Sequence, residues 1–420
     1  MVEPSLFAVV ASYLAIAVAY LLLQRNQSRQ VPATAPYLVG RPWPSVDIVL
    51  PCYNEDPALL AACCASLDAQ DYPGELRFFL VDDGSTNRDA LVDVYLRYSD
   101  RPGWNVRLLD GNHGKRMAQD VAVRVGDGEL VATVDSDTVL APDGIRRLVA
   151  AFDDPRVGGV SGDVRAGNAA HTWLTRLIDE RYRLLFEHER AAQSRGGAVL
   201  CCSGPFSAYR RSILERVWSD YLTQTFLGRA CVAGDDLHLT VLVLASGYQS
   251  LYEPSARALT HVPQTLRSYV RQQVRWNRSF YRELGPTWRL LRASNLYIAL
   301  DVAARLLLPL LLAAGFVLAA WQALTGFGQP PRVLAAAGAV AVMCVSSAGL
   351  LASKTPNARF VLVYGLIYVS LLIPARLWAL GTLRHNGWGT RKLGRAARRN
   401  ATQVMWPVLP IFACQGDASR

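Results

Sequence analysis

The sequence predicts an α/β fold in which a parallel sheet is combined with membrane segments. Short apolar stretches that end in polar or acidic residues alternate with helical stretches between residues 45 and 264. Such alternation is typical of βα units, whose strands run parallel. Long uncharged apolar runs lie towards both ends of the chain, and 51% of its 420 residues are hydrophobic. This content is too apolar for a purely soluble enzyme, so we expect part of the chain to lie in lipid.

The net charge of +10 is explained better by a membrane than by nucleic acid. The sequence has no basic stripe interleaved with aromatic residues and no nucleic-acid motif, so we expect no nucleic-acid partner. Much of the positive charge lies beside hydrophobic segments, where it fixes orientation or contacts anionic lipid. The largest such group consists of Arg391, Lys392, Arg395, Arg398 and Arg399.

The eight cysteines predict neither a zinc site nor a disulfide framework. They form no CxxC pair, and no histidine lies at metal-ligand spacing from them. We therefore expect reduced thiols that face a cytosol.

The N-terminal segment, residues 1–29, is predicted to be a membrane anchor. Leu6 to Leu23 form an uncharged apolar run about long enough to span a bilayer, and Arg25 and Arg29 follow it. A signal peptide is the alternative, but the segment lacks a basic start and a clear small-residue cleavage site. We expect the N-terminus to lie outside the cell.

Three candidate strands open the globular region. They are Val46–Leu50, Leu76–Val81 and Val106–Leu109. The turn Pro51–Asp56 and a helix at about Leu59–Ala69 follow the first strand, Asp83 follows the second, and Lys115 follows the third. Because the carboxyl ends of parallel strands share one edge of the sheet, we expect the ligand along that edge.

A further strand, Val131–Val134, leads into two carboxylates, Asp135 and Asp137. Side chains at positions i and i+2 of an extended segment leave on the same face, so both can bind one divalent cation and the phosphates it carries. An Asp/Ser turn or a helix N-cap is the simpler explanation of any one of these residues. Together with Asp83 and Lys115, the pair favours a nucleotide pocket.

Six motifs resemble, in order and spacing, the processive family 2 glycosyltransferases, which include hyaluronan, chitin, cellulose and nodulation chitooligosaccharide synthases. The motifs are Pro51-Cys-Tyr-Asn-Glu-Asp56, Val81-Asp-Asp-Gly-Ser85, Gly114-Lys-Arg116, Asp135-Ser-Asp137, Gly234-Asp-Asp236 and Gln272-Gln-Val-Arg-Trp276. The resemblance covers roughly residues 45 to 392. It implies a cytosolic GT-A-type catalytic domain joined to transmembrane and interfacial helices.

The resemblance also implies the chemistry, which is inverting transfer from a UDP-sugar. Asp236 would be the general base, with Asp235 in support. Asp135 and Asp137 would hold the donor together with Mn²⁺ or Mg²⁺. The other implied catalytic residues are Gln272, Arg275 and Trp276, and the other implied donor-binding residues are Asp83, Lys115, Tyr53, Glu55, Trp388 and Arg391.

Two segments of the second half combine structural and chemical interpretations. Gly204-Pro205 forms a turn that lets the backbone approach a ligand, and the resemblance implies part of an acceptor-sugar pocket there; a plain turn is equally supported. Tyr269–Glu283 is predicted to be an arginine-rich amphipathic helix on the membrane surface. Its Arg275 can neutralise a diphosphate, and Trp276 offers an apolar platform for a sugar ring.

The C-terminal region contains three further hydrophobic segments. They are approximately Leu296–Ala320, Val333–Ala352 and Phe360–Leu383. Asp301 and Arg305 in the first are expected to pair or to line a polar path. Three full crossings would leave the basic tail outside, against the positive-inside rule. We therefore expect one segment to be re-entrant or interfacial, and the last, with Pro374 and Arg376, is the candidate.

These observations predict a multi-pass enzyme of the cell membrane with its catalytic domain in the cytosol. Its expected partners are UDP-sugar donors, the growing polysaccharide and membrane lipid, and it is expected to act without a protein partner. The predicted domains are an anchor (1–29), a linker (30–44), a GT-A catalytic domain (45–264), interface helices (265–292), membrane segments (293–383) and a basic cytosolic tail (384–420).

The two halves of the chain favour different products. Pro51 to Arg88 resembles the nodulation chitooligosaccharide synthases, which use UDP-GlcNAc alone. Gly234-Asp-Asp236 and Trp388-Gly-Thr-Arg391 resemble bacterial hyaluronan synthases, which use UDP-GlcNAc and UDP-GlcA. Because acceptor-side motifs should follow the product more closely, the sequence favours a hyaluronan synthase that exports its chain, with a chitin or chitooligosaccharide synthase as the alternative. A non-catalytic transporter or nucleotide-sugar sensor should have lost an acidic motif, and none is lost.

Overall fold

The computed structural model describes residues 4–29, 42–291, 296–325, 338, 358–385 and 408–409. The chain divides into two compact units. The sheet unit comprises Ala33–Ala169, Gly197–Pro263 and Leu383–Arg420. The helical unit comprises Met1–Pro32, Ala170–Gly196 and Gln264–Thr382. The segment 170–196 thus groups with the hydrophobic helices and not with the sheet.

Between residues 46 and 134, strands and helices alternate along the chain, as the sequence pattern predicts. The α-helices are α1 (Pro4–Ser28), α2 (Pro57–Asp68), α3 (Arg88–Ser99), α4 (Lys115–Val125), α5 (Gly144–Ala150), α6 (Trp173–Leu184), α7 (Ala191–Arg195), α8 (Arg211–Leu222), α9 (Asp235–Ala245), α10 (Leu266–Arg282), α11 (Leu284–Leu291), α12 (Leu296–Leu324), α13 (Ala358–Ile367) and α14 (Ile373–Gly381). The strands are β1 (Val46–Cys52), β2 (Leu76–Asp82), β3 (Trp104–Leu109), β4 (Leu130–Val134), β5 (Val139–Leu140), β6 (Val157–Ala166), β7 (Phe206–Arg210), β8 (Thr225–Phe226), β9 (Arg229–Ala230), β10 (Gln249–Thr260) and β11 (Val408–Leu409). A 3₁₀ turn covers Ala151–Asp153, and π turns cover Leu185–Arg190 and Tyr368–Leu372.

The main sheet has the strand order β11-β3-β2-β1-β4-β7-β6-β10-β5. Strands β3, β2, β1 and β4 are mutually parallel, as are β6 and β10. All residues of β1 and β4 are buried, as expected for strands covered on both faces. The predicted α/β class is therefore confirmed, and the parallel strands end along one edge of the sheet.

The sheet differs from the prediction in being mixed. Strand β7 runs antiparallel to both of its neighbours, β4 and β6. Its four apolar or small residues before Arg210 are buried, and a buried strand has the same composition in either direction. The sequence pattern therefore carried no signal for the reversed direction of β7.

A buried carboxylate anchors the start of the sheet. Asp47 is fully buried in β1 and accepts hydrogen bonds from the backbone N–H of Gly128, at 2.8 Å, and from the guanidinium of Arg211, at 2.5 Å. Arg77 adds a second ion pair at 2.9 Å. A Cβ at Gly126 or Gly128 would clash with the Asp47 side chain. Glycine is therefore required where this loop approaches the carboxylate.

Three helices among the described residues are long and apolar enough to cross a bilayer. They are Ala8–Ser28, Leu296–Trp321 and Val363–Gly381. The predicted segment Val333–Ala352 lies outside the described residues, except for residue 338. The last helix contains a π turn directly ahead of Pro374, where proline removes a backbone donor. A re-entrant course for this helix stays a prediction.

A network of charged and polar side chains lies inside the helical unit. Asp301 of α12 is fully buried and accepts hydrogen bonds from Tyr20 at 2.5 Å and Gln193 at 2.7 Å. The predicted pairing of Asp301 with Arg305 is confirmed, with 2.9 Å between Oδ2 and Nε. Arg305 also binds Glu189 at 2.8 Å. The network ties α12 to α1 and to the segment 185–195.

We predict that Asp301→Ala destabilises the protein by about 3 kcal/mol, because it leaves Tyr20, Gln193 and one face of Arg305 without their buried acceptor. The thermal unfolding midpoint of the detergent-solubilised chain should fall by several degrees. Ser370→Ala is the control, since the Ser370 side chain is exposed and donates to the Leu366 carbonyl one helical turn earlier. An unchanged midpoint for Asp301→Ala would contradict the prediction.

Candidate functional site

The ends of the parallel strands bring the predicted edge residues together in the sheet unit. Asp83 directly follows β2, and its two carboxylate oxygens accept the backbone N–H groups of His113 at 2.7 Å and Gly114 at 2.8 Å. These two residues precede α4, whose first residue is Lys115. Asp83 therefore joins the end of β2 to the loop that presents Lys115.

The neighbouring aspartates Asp82 and Asp83 have different environments. Asp82 is fully buried and accepts hydrogen bonds from Tyr95, at 2.5 Å, and from Arg88, so its role is structural. Asp83 is 3% exposed. Burial raises the pKa of Asp83 to about 6, and the two backbone N–H groups oppose this effect only in part.

The ammonium group of Lys115 is shared by two carboxylates. It donates to Asp135 Oδ1 at 2.6 Å and lies 3.2 Å from Asp235 Oδ2. Burial acts to lower the pKa of Lys115, but the charges of Asp135 and Asp235 outweigh it and raise the pKa above its ordinary value. Lys115 is therefore a permanent positive charge at the edge of the sheet.

Asp135 and Asp137 lie in a turn after β4 and not in extended chain, and the Thr138 N–H donates to the Asp135 carbonyl at 3.0 Å. Both are partly exposed, whereas Ser136 and Thr138 between and beyond them are buried. Thr260, at the end of β10, donates to Asp137 Oδ1 at 3.0 Å. These contacts orient one oxygen of Asp137.

Glu55, one of the predicted residues after β1, also contacts this loop. Glu55 accepts the hydroxyl of Ser136 at 2.6 Å. Asn54, between Tyr53 and Glu55, has a φ of +50°, and its side chain accepts the backbone N–H of Thr86. The turn after β1 is thus hydrogen-bonded to the loop after β2 and to the loop after β4.

Gly204 lies among the charged groups of the site. A Cβ at this position would lie 3.2 Å from Lys115 Nζ, 3.7 Å from Asp236 Oδ2 and 3.8 Å from Asp135 Oδ2. Carboxylate oxygens are the ligands that Mg²⁺ and Mn²⁺ prefer. No set of three or more acidic, histidine or cysteine side chains converges as a cation site in the described part of the chain. Asp135 and Asp137 could therefore hold a divalent cation whose other ligands come from a diphosphate.

The adjacent carboxylates at the start of α9 point to different surroundings. Gly234, with a φ of +87°, precedes the helix. Asp235 is 5% exposed and faces Lys115. Asp236 is partly exposed, with Oδ1 accepting the Leu237 N–H at 2.8 Å and Oδ2 lying 3.4 Å from the Gly204 nitrogen. Asp236 is thus the partly exposed carboxylate beside Gly204, whereas Asp235 is buried against Lys115.

The other predicted site residues lie elsewhere in the chain. Gln272, Arg275 and Trp276 lie on α10 of the helical unit, which begins one turn earlier than predicted and is capped by Thr265. Trp388 and Arg391 lie outside the described residues. The roles that the resemblance implies for these five residues stay predictions.

Thr260 and Arg116 were missed by sequence reasoning as members of the site. Thr260 lies 123 positions after Asp137, at the end of an ordinary strand, and only its position at the sheet edge could have identified it. Arg116 lies in a motif that was recognised, but its contacts with the Tyr221 carbonyl and Gln224 depend on the tertiary fold.

Comparison with known proteins supports one family along the whole chain. Residues 47–218 match the model of glycosyl transferase family 2. An N-acetylglucosaminyltransferase of Mesorhizobium japonicum is 44% identical over 354 residues, covering 84% of this chain and 83% of the relative. An N-acetylglucosaminyltransferase of Rhizobium meliloti is 39% identical over 418 residues, covering 98% of each.

A solved structure shares the fold. It is a mannosyltransferase from Pyrobaculum calidifontis in complex with GDP-Man and Mn²⁺, with a TM-score of 0.68 and 20% sequence identity. The similarity covers 93% of this chain and 100% of that one. The predicted GT-A-type fold is therefore confirmed.

We predict that Gly204→Ala weakens binding of UDP with Mn²⁺ about tenfold, because the added methyl group enters the space beside Lys115 and Asp135. Calorimetric titration of the full-length protein measures this affinity. Gly285→Ala is the matched control, since a Cβ there meets nothing within 4 Å. Equal affinities for Gly204→Ala and the control would contradict the prediction.

The raised pKa of Asp83 predicts a pH-dependent stability. Because the folded-state pKa, about 6, exceeds the ordinary value of 3.8, folding favours the protonated carboxyl. This contribution is fully present below pH 4 and is lost as the pH rises through 6, by up to about 3 kcal/mol. Wild type should therefore lose stability relative to Asp83→Asn over this range, which thermal unfolding at several pH values measures. Parallel profiles of the two proteins would refute the expectation.

Proposed function

Because the chain belongs to glycosyl transferase family 2, we propose that it is a membrane enzyme that polymerises N-acetylglucosamine from UDP-GlcNAc into a β-1,4-linked chitooligosaccharide. The observation that carries this proposal is the length of the likeness to the rhizobial N-acetylglucosaminyltransferases. It extends over 98% of both chains in the Rhizobium meliloti protein. The likeness thus includes the acceptor-side half as well as the nucleotide-side half.

Hyaluronan synthesis, which the acceptor-side motifs favour, is the second candidate. It rests on short segments such as Gly234-Asp-Asp236, whereas the relatives match over hundreds of residues. The identity of a few residues around a general base depends more on the reaction type than on which sugar is transferred, because both products need the same proton transfer. The long match therefore outweighs these segments and supports the chitooligosaccharide alternative.

On the donor side, the edge of the sheet offers groups for each part of a UDP-sugar. Asp83 and Lys115 are proposed to bind the uridine and the diphosphate. Asp135 and Asp137 would hold Mn²⁺ or Mg²⁺, which when bound supplies Lewis-acid stabilisation of the leaving diphosphate. Lys115 adds a fixed positive charge to the same region, so negative charge that develops on the departing UDP is stabilised without reorganisation of solvent.

On the acceptor side, Asp236 is proposed as the general base. It is the partly exposed carboxylate of the Gly234-Asp-Asp236 motif, and its Oδ2 borders the space beside Gly204. It would take the proton of the acceptor hydroxyl as the oxygen attacks the anomeric carbon opposite the leaving UDP. A single displacement inverts the α-linked donor and gives a β-linkage. The resemblance assigns to Arg275 the neutralisation of diphosphate charge and to Trp276, with Gln272, the support of a sugar ring.

The three apolar helices indicate association with a membrane. We propose a multi-pass enzyme with its catalytic unit in the cytosol, where nucleotide sugars are made available. Membrane lipid and the growing saccharide are then its partners. Export of the product through the membrane segments is part of the same proposal, because the donor and the product would lie on opposite sides of the bilayer.

The test is UDP release by the full-length protein in detergent, with Mn²⁺ or Mg²⁺ and with UDP-GlcNAc alone, UDP-GlcA alone, or both. We expect sustained turnover with UDP-GlcNAc alone and a product that chitinase degrades. Turnover that requires both donors and yields a hyaluronidase-sensitive polymer would establish the second candidate instead.

Asp236→Asn belongs in the same assay, since loss of the general base should lower the turnover rate by about 10² to 10⁴. Full activity of this variant would remove Asp236 from the mechanism. Absence of turnover by the wild type with any donor would favour a non-catalytic transporter or nucleotide-sugar sensor.

A further inference from the structure

Lys115 has two counter-ions that differ in exposure and in origin. Asp135 follows β4, is partly exposed, and belongs to the pair that could hold a cation. Asp235 opens α9, is 5% exposed, and lies 3.2 Å from the same ammonium group. Asp135 is therefore accessible to a cation and a diphosphate. Asp235 stays buried beside Lys115.

Positive charges on neighbouring residues also keep Asp235 in its ionised form. Burial disfavours its charge, but the positive charges of Lys115 and Arg116 outweigh burial and lower the pKa of Asp235. Arg116 is itself fixed, since it donates to the Tyr221 carbonyl at 2.7 Å and its guanidinium lies 4.9 Å from the centre of the Tyr221 ring. The buried layer behind the site is thus built around a permanent negative charge at Asp235.

A long, flexible lysine side chain needs such a partner if it is to bind a ligand at a fixed position. An ammonium group is a point charge on a four-carbon stem and loses rotamer freedom whenever it is immobilised. If a divalent cation and a diphosphate bind at Asp135, the negative charge of this carboxylate is shared between the cation and Lys115. Asp235, 3.2 Å from the same ammonium group, remains as the counter-ion that holds it in place.

We propose that Asp235 is a positioning residue for donor binding, which acts through Lys115 and not on the acceptor hydroxyl. This inference rests on the proposed function, because it assigns Lys115 to the diphosphate of the donor. The inference assigns a different role to each of the two adjacent aspartates. Asp235 serves the binding of UDP, and Asp236 serves the proton transfer.

The test measures UDP affinity by calorimetric titration of the full-length protein, with and without Mg²⁺, for wild type, Asp235→Asn, Lys115→Met and the double variant. We expect Asp235→Asn and Lys115→Met each to weaken UDP binding about tenfold. The double variant should bind no more weakly than Lys115→Met alone, because Asp235 has no effect once its lysine is absent. A merely structural role for Asp235 would instead give additive losses.

Asp236→Asn is the matched control, since it makes the same substitution at the next residue. It should weaken UDP binding less than Asp235→Asn does while losing turnover, whereas Asp235→Asn should raise KM for UDP-GlcNAc more than it lowers kcat. The inference is overturned if Asp235→Asn binds UDP as tightly as wild type, or if the double variant binds more weakly than Lys115→Met.

Two further outcomes are distinguished by the same set of proteins. If Asp235→Asn fails to fold, the UDP affinities of Lys115→Met and the double variant still test the inference, because the double variant removes both charges together. If wild type binds no UDP at all, the proposed function fails and the inference fails with it. A wild type that binds UDP with an unaffected Asp235→Asn leaves the proposed function standing and removes the inference alone.

Discussion

The ion pairs of Lys115 with Asp135 and Asp235 are the interactions on which the arrangement of the sheet edge depends. A buried ammonium group without counter-ions would lose its charge, and a buried carboxylate such as Asp235 would take up a proton if it had no cation beside it. Lys115 and Asp235 therefore stabilise each other's charged state, and Asp135 adds to the stabilisation of the Lys115 ammonium. Because Asp135 follows β4 and Asp235 begins α9, this mutual requirement joins parts of the chain that are 100 residues apart.

Backbone geometry places these charges at helix starts. Gly114, with a φ of +96°, precedes Lys115, and Gly234, with a φ of +87°, precedes Asp235. Glycine adopts such angles without the steric cost that other residues meet. The helix dipole favours Asp235 at an N-terminus and disfavours Lys115 there, so Lys115 needs its two carboxylates more than a lysine elsewhere in a helix would. The glycines and the ion pairs are thus parts of one arrangement.

Much of this arrangement follows from local sequence pattern, and the rest does not. The strands before residue 135 follow from the pattern of apolar residues, which matches the burial of these strands. The direction of β7 and the contact of Thr260 with Asp137 depend on pairing between distant segments, to which periodicity is blind. The division between Asp235 and Asp236 is similar: adjacent side chains must diverge, but only the fold determines which one meets Lys115.

In both units, buried charged groups are paired with opposite charges or hydrogen-bond donors. The two networks differ in whether their carboxylates remain accessible to a ligand. Asp301 is fully buried and accepts from Tyr20, Gln193 and Arg305, so its lone pairs are committed to the protein. Such a group fixes helices and has little capacity left for a ligand. In the sheet unit, Asp135, Asp137 and Asp236 are each partly exposed. Carboxylates that are accessible are what a cation and an acceptor hydroxyl require, and this difference supports the proposal that the reaction takes place at the sheet edge.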